Sequence, residues 1–243
     1  MAEARFRGRG FYGGYMELES KKVSKFLNKK INQLNDIIAD LDTLVNEIGS
    51  DFYRVSIFGS ARIKPDTDEY HQAFDLAFQL ARKGADIVTG GGPGLMEAAN
   101  SGAQKGSNDS RSYGLHIELP FEADTNPHLD VKYHHRRFSS RLDEFMRMSH
   151  AVIITPGGIG TVLELFYTWQ LIQVNHIAPR PVILLGGIWQ GLIDWLESGP
   201  LKRSLMDTQD LEKLTIVQSV EEAVKLLEPE IQLFKAAAKG SKS

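Results

Sequence analysis

Glu164 follows the glycine-rich run Pro156-Gly157-Gly158-Ile159-Gly160-Thr161, which itself follows the apolar stretch Ala151–Thr155. A strand, a glycine turn and a helix start together aim backbone N–H groups at an anion, and the helix dipole favours its negative charge. Gly158 and Gly160 let the backbone approach closely, Gly157 belongs to the same turn, and Thr161 adds a hydroxyl. A carboxylate beside such a turn suits a reaction in which a phosphorylated substrate is held and then acted on. The spacing has a second reading. Thr161-x-x-Glu164 is also the pattern of a helix capping box, and the residues alone leave capping and catalysis open. Gly90–Gly94, containing Gly91 and Gly92, offers a second wall, and Ser60 in Gly59-Ser60 a further hydrogen-bond donor. Arg136, Arg137 and Arg141 form a basic group that is either part of an anion site or a solvated helix face.

Several other chemistries are excluded. The chain has no cysteine, so thiolate metal sites, disulfides and thiol nucleophiles are absent. It carries no G-x-x-x-x-G-K-[ST], no G-x-G-x-x-G after a strand, no H-E-x-x-H and no G-x-S-x-G elbow. His134-His135 is an adjacent pair, which cannot share one helical face.

The elements that must position these residues show in the periodicity. Apolar runs of strand length alternate with helical patterns from Tyr53 onward. Strands are expected at Tyr53–Phe58, Ala85–Thr89, Tyr113–Glu118, Val131–Tyr133, Ala151–Thr155, Pro181–Leu185 and Leu214–Val217. Helices are expected at Tyr70–Lys83, Leu95–Lys105, Arg137–Met148, Thr161–Val174, Trp189–Glu197 and Val220–Leu227. Such alternation implies parallel strands joined by right-handed crossovers, an α/β, Rossmann-like doubly wound sheet. The three glycine clusters all fall at the carboxyl ends of strands, where such folds bind ligands.

Ahead of that domain, Leu27, Ile31, Leu34, Ile38, Leu41, Val45 and Ile48 alternate four and three apart, an a/d seam on a long helix from Ser20 to Ile48. The seam must bury against something, either its own domain or another subunit. The expected organisation is an arm plus helix over 1–49, a nucleotide-binding catalytic domain over 50–232, and a frayed tail over 233–243. The arm interleaves Arg7 and Arg9 with glycines and with Phe6, Phe11 and Tyr12, which reads as a flexible terminus or as an RNA-binding or substrate-capping arm. A formal net charge of −3 with no long basic run argues against a nucleic-acid partner. The apolar runs are too short to span a bilayer and no secretory h-region opens the chain, so the expectation is a cytoplasmic protein without a membrane partner.

Pro156–Glu164, P-G-G-I-G-T-V-L-E, resembles the P-G-G-x-G-T-x-x-E signature of the LOG family, the cytokinin riboside 5′-monophosphate phosphoribohydrolases often labelled lysine decarboxylases. Gly90–Asn100, G-G-G-P-G-L-M-E-A-A-N, resembles that family's other glycine motif, and Leu119-Pro120-Phe121-Glu122 its L-P-x-E segment. The resemblance runs from about Arg54 to Leu227. The added N-terminal helix resembles the family's longer branch, whose members assemble beyond dimers, so a homo-oligomer is implied.

The resemblance implies hydrolysis of the N-glycosidic bond of a nucleoside 5′-monophosphate, AMP or a cytokinin nucleotide, to free base and ribose 5-phosphate. It implies Glu164 and Arg141 as catalytic residues, and Ser60, Gly91, Gly92, Glu97, Pro120, Gly157, Gly158, Gly160 and Thr161 as the substrate-binding set. No metal or organic cofactor is implied. The family carries lysine after the arginine, whereas this chain has Leu142; Arg136 or Arg137 is positioned in the sequence to supply that charge. Decarboxylation needs an electron sink such as PLP on a Schiff-base lysine, and neither glycine motif contains a lysine. The competing expectation is a carrier that holds a phosphate-bearing ligand, such as a molybdopterin cofactor, without cleaving it.

Overall fold

The computed structural model describes residues 23–31, 34, 52–117 and 125–240. The chain divides into two units, Met1–Ser50 and Asp51–Ser243. In the first, α1 is described at residues 23–31 and at 34, and its Leu27, Ile31 and Leu34 are each more than half exposed. The seam positions Ile38, Leu41, Val45 and Ile48, and the arginine–glycine arm, lie outside the described residues.

The second unit begins with β1 (Tyr53–Phe58), α2 (Asp68–Lys83), β2 (Ala85–Thr89), α3 (Leu95–Gly106), β3 (Ser112–Ile117) and β4 (Val131–His135). It continues with α4 (Phe138–Met148), β5 (Ala151–Ile154), α5 (Ile159–Gln173), β6 (Val182–Leu185), α6 (Gln190–Ser198), α7 (Thr208–Leu211), β7 (Leu214–Val217) and α8 (Val220–Gly240). Short 3₁₀ turns precede and follow α6 at Gly187–Trp189 and Leu201–Arg203.

The seven strands lie in the order β4-β3-β2-β1-β5-β6-β7, and every pairing is parallel. The chain winds outward from β1 to β4, then returns to the other side of β1 as β5. The strand order therefore reverses between β1 and β5, and the crevice of a doubly wound sheet opens beyond the carboxyl ends of those two strands.

The central strands are buried on both faces, as parallel strands covered by crossover helices must be. Val55 and Ile57 turn to a core shared with Leu76, Leu80, Ala99 and Leu227 of α2, α3 and α8. Phe58, Val152 and Ile154 turn to a second core shared with Phe145, Leu165 and Leu196 of α4, α5 and α6. The edge-on contact of Phe58 with Phe145, 4.7 Å between ring centres, ties α4 to β1. At the C-terminus of α4, Arg180 Nη1 donates to Met146 O at 2.6 Å and also to Ser149 O, supplying the donors that the last turn lacks.

Most element ends fall within two residues of expectation, α2 starting at Asp68 rather than Tyr70 and β4 ending at His135 rather than Tyr133; the departures that matter are at α5 and α8. Helix α5 begins at Ile159, two residues before Thr161. Helix α8 does not stop near Leu227 but runs to Gly240, through Pro229, so the residues expected to fray from 233 are helical up to that point. Ile231 is fully buried, Phe234 packs edge-on against Tyr53 and His150, and Lys235 Nζ donates to Lys83 O at 2.7 Å. These contacts outweigh the missing N–H of Pro229.

Candidate active site

The crevice is held together through the backbone of Ser60. Ser60 N donates to Pro156 O at 3.1 Å, and Leu95 N donates to Ser60 O at 3.0 Å. The loop after β1 thus binds both the turn after β5 and the helix start after β2. Gly94 makes this approach possible: it has a φ of 69°, and a Cβ there would meet the backbone of Ser60 and Ala61. The Ser60 hydroxyl accepts from Arg62 N at 3.1 Å, so it is turned toward its own loop.

The turn after β5 leads directly into α5. Its N-cap is Gly158, with no side chain capping it. A capping box is therefore not formed: Thr161 is the third helical residue and Glu164 the sixth. Thr161 is buried with its hydroxyl against Gly157, so it faces the turn rather than the opening. A Cβ at Gly158 or Gly160 would meet nothing within 4 Å, and Ile159 between them is 91% exposed. The first N–H groups of a helix lack partners within it. Here Gly158 and Gly160 frame them, and no side chain caps the helix start. The start of α3, at Gly94, is likewise uncapped by a side chain.

Beside this opening lie Arg141, one turn into α4, and Glu164. Arg141 Nη2 is 3.7 Å from Glu164 Oε1, and each side chain is only 12% exposed. Arg141 Nε donates to Leu115 O at 2.7 Å, and the guanidinium stands 5.3 Å from the centre of the Phe145 ring. The same guanidinium crosses over Gly90, where a Cβ would collide with it. The arginine thus joins the first glycine turn to the helix that carries the carboxylate. Burial pushes the Glu164 carboxyl up to about 7, against the opposing pull of Arg141. A carboxyl with that proton affinity exchanges a proton near neutral pH.

The other expected residues are more dispersed. Gly91, buried with a φ of 71°, and half-buried Gly92 form the turn beneath Arg141. Glu97 is half-buried in the first turn of α3, where its charge bears on the Tyr70 phenol, whose pKa is raised first by burial and then by Glu97. Pro120 lies outside the described residues. Leu142 is buried, while Arg136 and Arg137 are exposed just ahead of α4. His134 and His135 lie on β4, where successive side chains point to opposite faces. Among the described residues no group of three or more His, Asp or Glu is placed to hold a metal ion, and no helix is long and apolar enough to cross a membrane.

Sequence reasoning passed over Thr89 and Asn100, and expected the segment ending at Asn126 to shape a base pocket; with Asn126 they hold the first glycine turn from behind. Asn100 ends the glycine motif itself, and a buried-side asparagine in a helix of alanines was the available signal. It also passed over Tyr167, whose hydroxyl bonds Asp143 and links α5 to α4 just beyond the Arg141–Glu164 pair.

Comparison with known proteins bears on the family and the fold. A family model described as "Possible lysine decarboxylase" matches residues 96–227. The chain is 35% identical over 127 residues to the pyrimidine/purine nucleotide 5′-monophosphate nucleosidase of Escherichia coli K12, an alignment covering 49% of this chain but only 28% of that protein. It is 26% identical over 156 residues to a cytokinin riboside 5′-monophosphate phosphoribohydrolase of Arabidopsis thaliana, covering 63% of this chain and 72% of that one. Among solved structures, the molybdenum cofactor binding protein of Rippkaea orientalis shares the fold with a TM-score of 0.57 at 20% identity, over 74% of this chain and 98% of that one. The family model spans more than half of the chain, and the chain belongs to the LOG family.

Proposed function

We propose that the protein is an N-glycosidase that hydrolyses a nucleoside 5′-monophosphate to free base and ribose 5-phosphate. The observation that carries this reading is the largely buried Glu164 carboxyl, on a helix whose start no side chain caps, paired with Arg141, which lies against Gly90. The relatives' names agree with it, one a nucleotide 5′-monophosphate nucleosidase and one a cytokinin riboside 5′-monophosphate phosphoribohydrolase.

In this reading the open N–H groups of Ile159 and Gly160 hold the 5′-phosphate, helped by the dipole of α5. That remote binding orients the ribose over Glu164. As the bond between C1′ and the base nitrogen breaks, positive charge builds on the ribose ring. The ionised Glu164 stabilises it and takes a proton from the water whose oxygen bonds to C1′. The leaving base takes up a proton from solvent as it departs, and Glu164 gives its own proton back to solvent, so one water is consumed with no net change of charge on the enzyme. Arg141, anchored by Leu115 O, holds the carboxylate in place and gives hydrogen bonds to ribose or phosphate oxygens.

A non-catalytic carrier of a phosphate-bearing ligand would need the turns but not a desolvated carboxylate, whose burial lowers stability. The assay is a panel of nucleoside 5′-monophosphates, AMP and cytokinin nucleotides included, with free base resolved by chromatography. Release of base without added metal supports the reading. Binding of nucleotides with no base released supports the carrier.

A further inference from the structure

A closed ring of hydrogen bonds surrounds the Gly91–Gly92 peptide. Gly91 N donates to Thr89 Oγ1 at 3.0 Å, and Thr89 Oγ1 donates to Asn100 Oδ1 at 2.7 Å. The same Asn100 oxygen accepts from Asn126 Nδ2 at 3.0 Å, and Asn126 Nδ2 donates in turn to Gly92 O at 2.9 Å. Asn126 N donates to Gly91 O at 2.9 Å, so one residue holds both carbonyls of the turn.

The ring has no slack. Thr89 and Asn100 are fully buried and Asn126 is 5% exposed. Asn100 Nδ2 donates to Ser112 Oγ at 2.8 Å and to Tyr113 O at 3.3 Å, and Asn126 Oδ1 accepts from His128 N at 3.0 Å. Reversing either carboxamide would set donor against donor and acceptor against acceptor in a buried place, which costs the full desolvation of the groups involved.

The carbonyls of Gly91 and Gly92 are thereby fixed on the Asn126 side. A peptide is planar and trans, so the N–H of Gly92 must point away from Asn126. Gly92 is only half-buried, and water could have satisfied its carbonyl; a buried carboxamide does so instead, and specifies one shape of the turn. That turn continues into Gly90, over which the Arg141 guanidinium lies.

We propose that Asn126, locked by Asn100 and Thr89, is a positioning residue that sets the Gly90–Gly92 turn in the shape that receives the substrate beside Arg141. This rests on the nucleotide reading above. The test is calorimetric titration with AMP in a Glu164→Gln background, which removes turnover, together with steady-state kinetics on the chain that keeps Glu164. Thr89→Ser keeps the hydroxyl and should bind AMP as the unsubstituted chain does. Thr89→Val keeps the shape without the hydroxyl, and Asn126→Asp replaces the donor that Gly92 O needs. Both should weaken AMP by about threefold to tenfold per lost hydrogen bond, raising KM with kcat little changed. Asn126→Ser, smaller and uncharged, is the second variant at that position should Asn126→Asp fail to fold.

Unchanged affinity in folded Thr89→Val and in the folded Asn126 variant would overturn the proposal while leaving the nucleotide reading intact. A fall in melting temperature with no change in KM would show a purely structural ring and overturn it equally. Absence of AMP binding and of turnover in the unsubstituted chain would overturn the nucleotide reading, and the proposal with it.

Discussion

Arg141 Nη2 lies 3.7 Å from Glu164 Oε1, while Nε of the same arginine donates to Leu115 O within β3. One guanidinium therefore fixes a carboxylate on α5 relative to a strand three positions away in the sheet. Arg141→Ala should lower kcat/KM by about a hundredfold or more, the scale expected when an orienting group is lost. Arg141→Lys should recover little of it. A lysine is a point charge on a flexible stem and cannot serve Leu115 O and Glu164 together. Steady-state kinetics on the two variants checks this.

The pH profile should carry the signature of Glu164. Its carboxyl is pushed up to about 7 by burial, with Arg141 pulling it down. If the ionised form is the working one, kcat/KM rises with pH through about 7 and levels above it. Removing the opposing charge in Arg141→Ala should move that midpoint upward. The substrate's own phosphate titrates near 6 and is common to both enzymes, so the shift between them reports the protein.

The same carboxyl has a consequence for stability. Its folded pKa is above the ordinary carboxylate value, so the folded chain holds the proton more tightly than the unfolded one. The stabilisation is complete below about pH 4.5 and is lost as pH rises through about 7. Glu164→Gln should therefore raise thermal stability at pH 8, by about 1–3 kcal/mol, and change it little at pH 4.5. Melting curves of both chains at the two pH values test the sign.

Gly160 separates folding from binding. It is the second residue of α5 and a Cβ there meets nothing. Alanine is the better helix former by about 1 kcal/mol, so Gly160→Ala should leave the melting temperature unchanged or raise it. Under the proposed function the new methyl would crowd the 5′-phosphate, and nucleotide affinity should fall. Gly94→Ala is the contrast, since its φ of 69° and its contact with the Ser60 backbone make it a folding defect.

Much of this was legible before the structure. The strand β1, Tyr53–Phe58, and the strands β2 and β7 were readable to the residue because each is a short apolar run bounded by turn residues. The alignment of three glycine clusters on one sheet edge was readable from strand–helix alternation. The start of α5 was not, because Gly158-Ile159-Gly160 looks like loop, and only the packing of Thr161 beneath Gly157 shows the helix already under way. The length of α8 was hidden by Pro229 and by contacts to Tyr53 and Lys83 that lie far away in sequence. The Thr89–Asn100–Asn126 ring was hidden for the same reason: its members span 37 residues of numbering and meet only once β2, α3 and β3 are in place.

The most direct measurement is the release of free base from AMP and from a cytokinin riboside 5′-monophosphate by the intact chain and by Glu164→Gln, with nucleotide binding followed in parallel. The intact chain should release base and ribose 5-phosphate in equal amounts. Glu164→Gln should keep its affinity and lose turnover by about 10²–10⁴-fold, the range of acid–base contributions. Equal turnover in the two chains would contradict the assignment of Glu164 as the catalytic carboxylate.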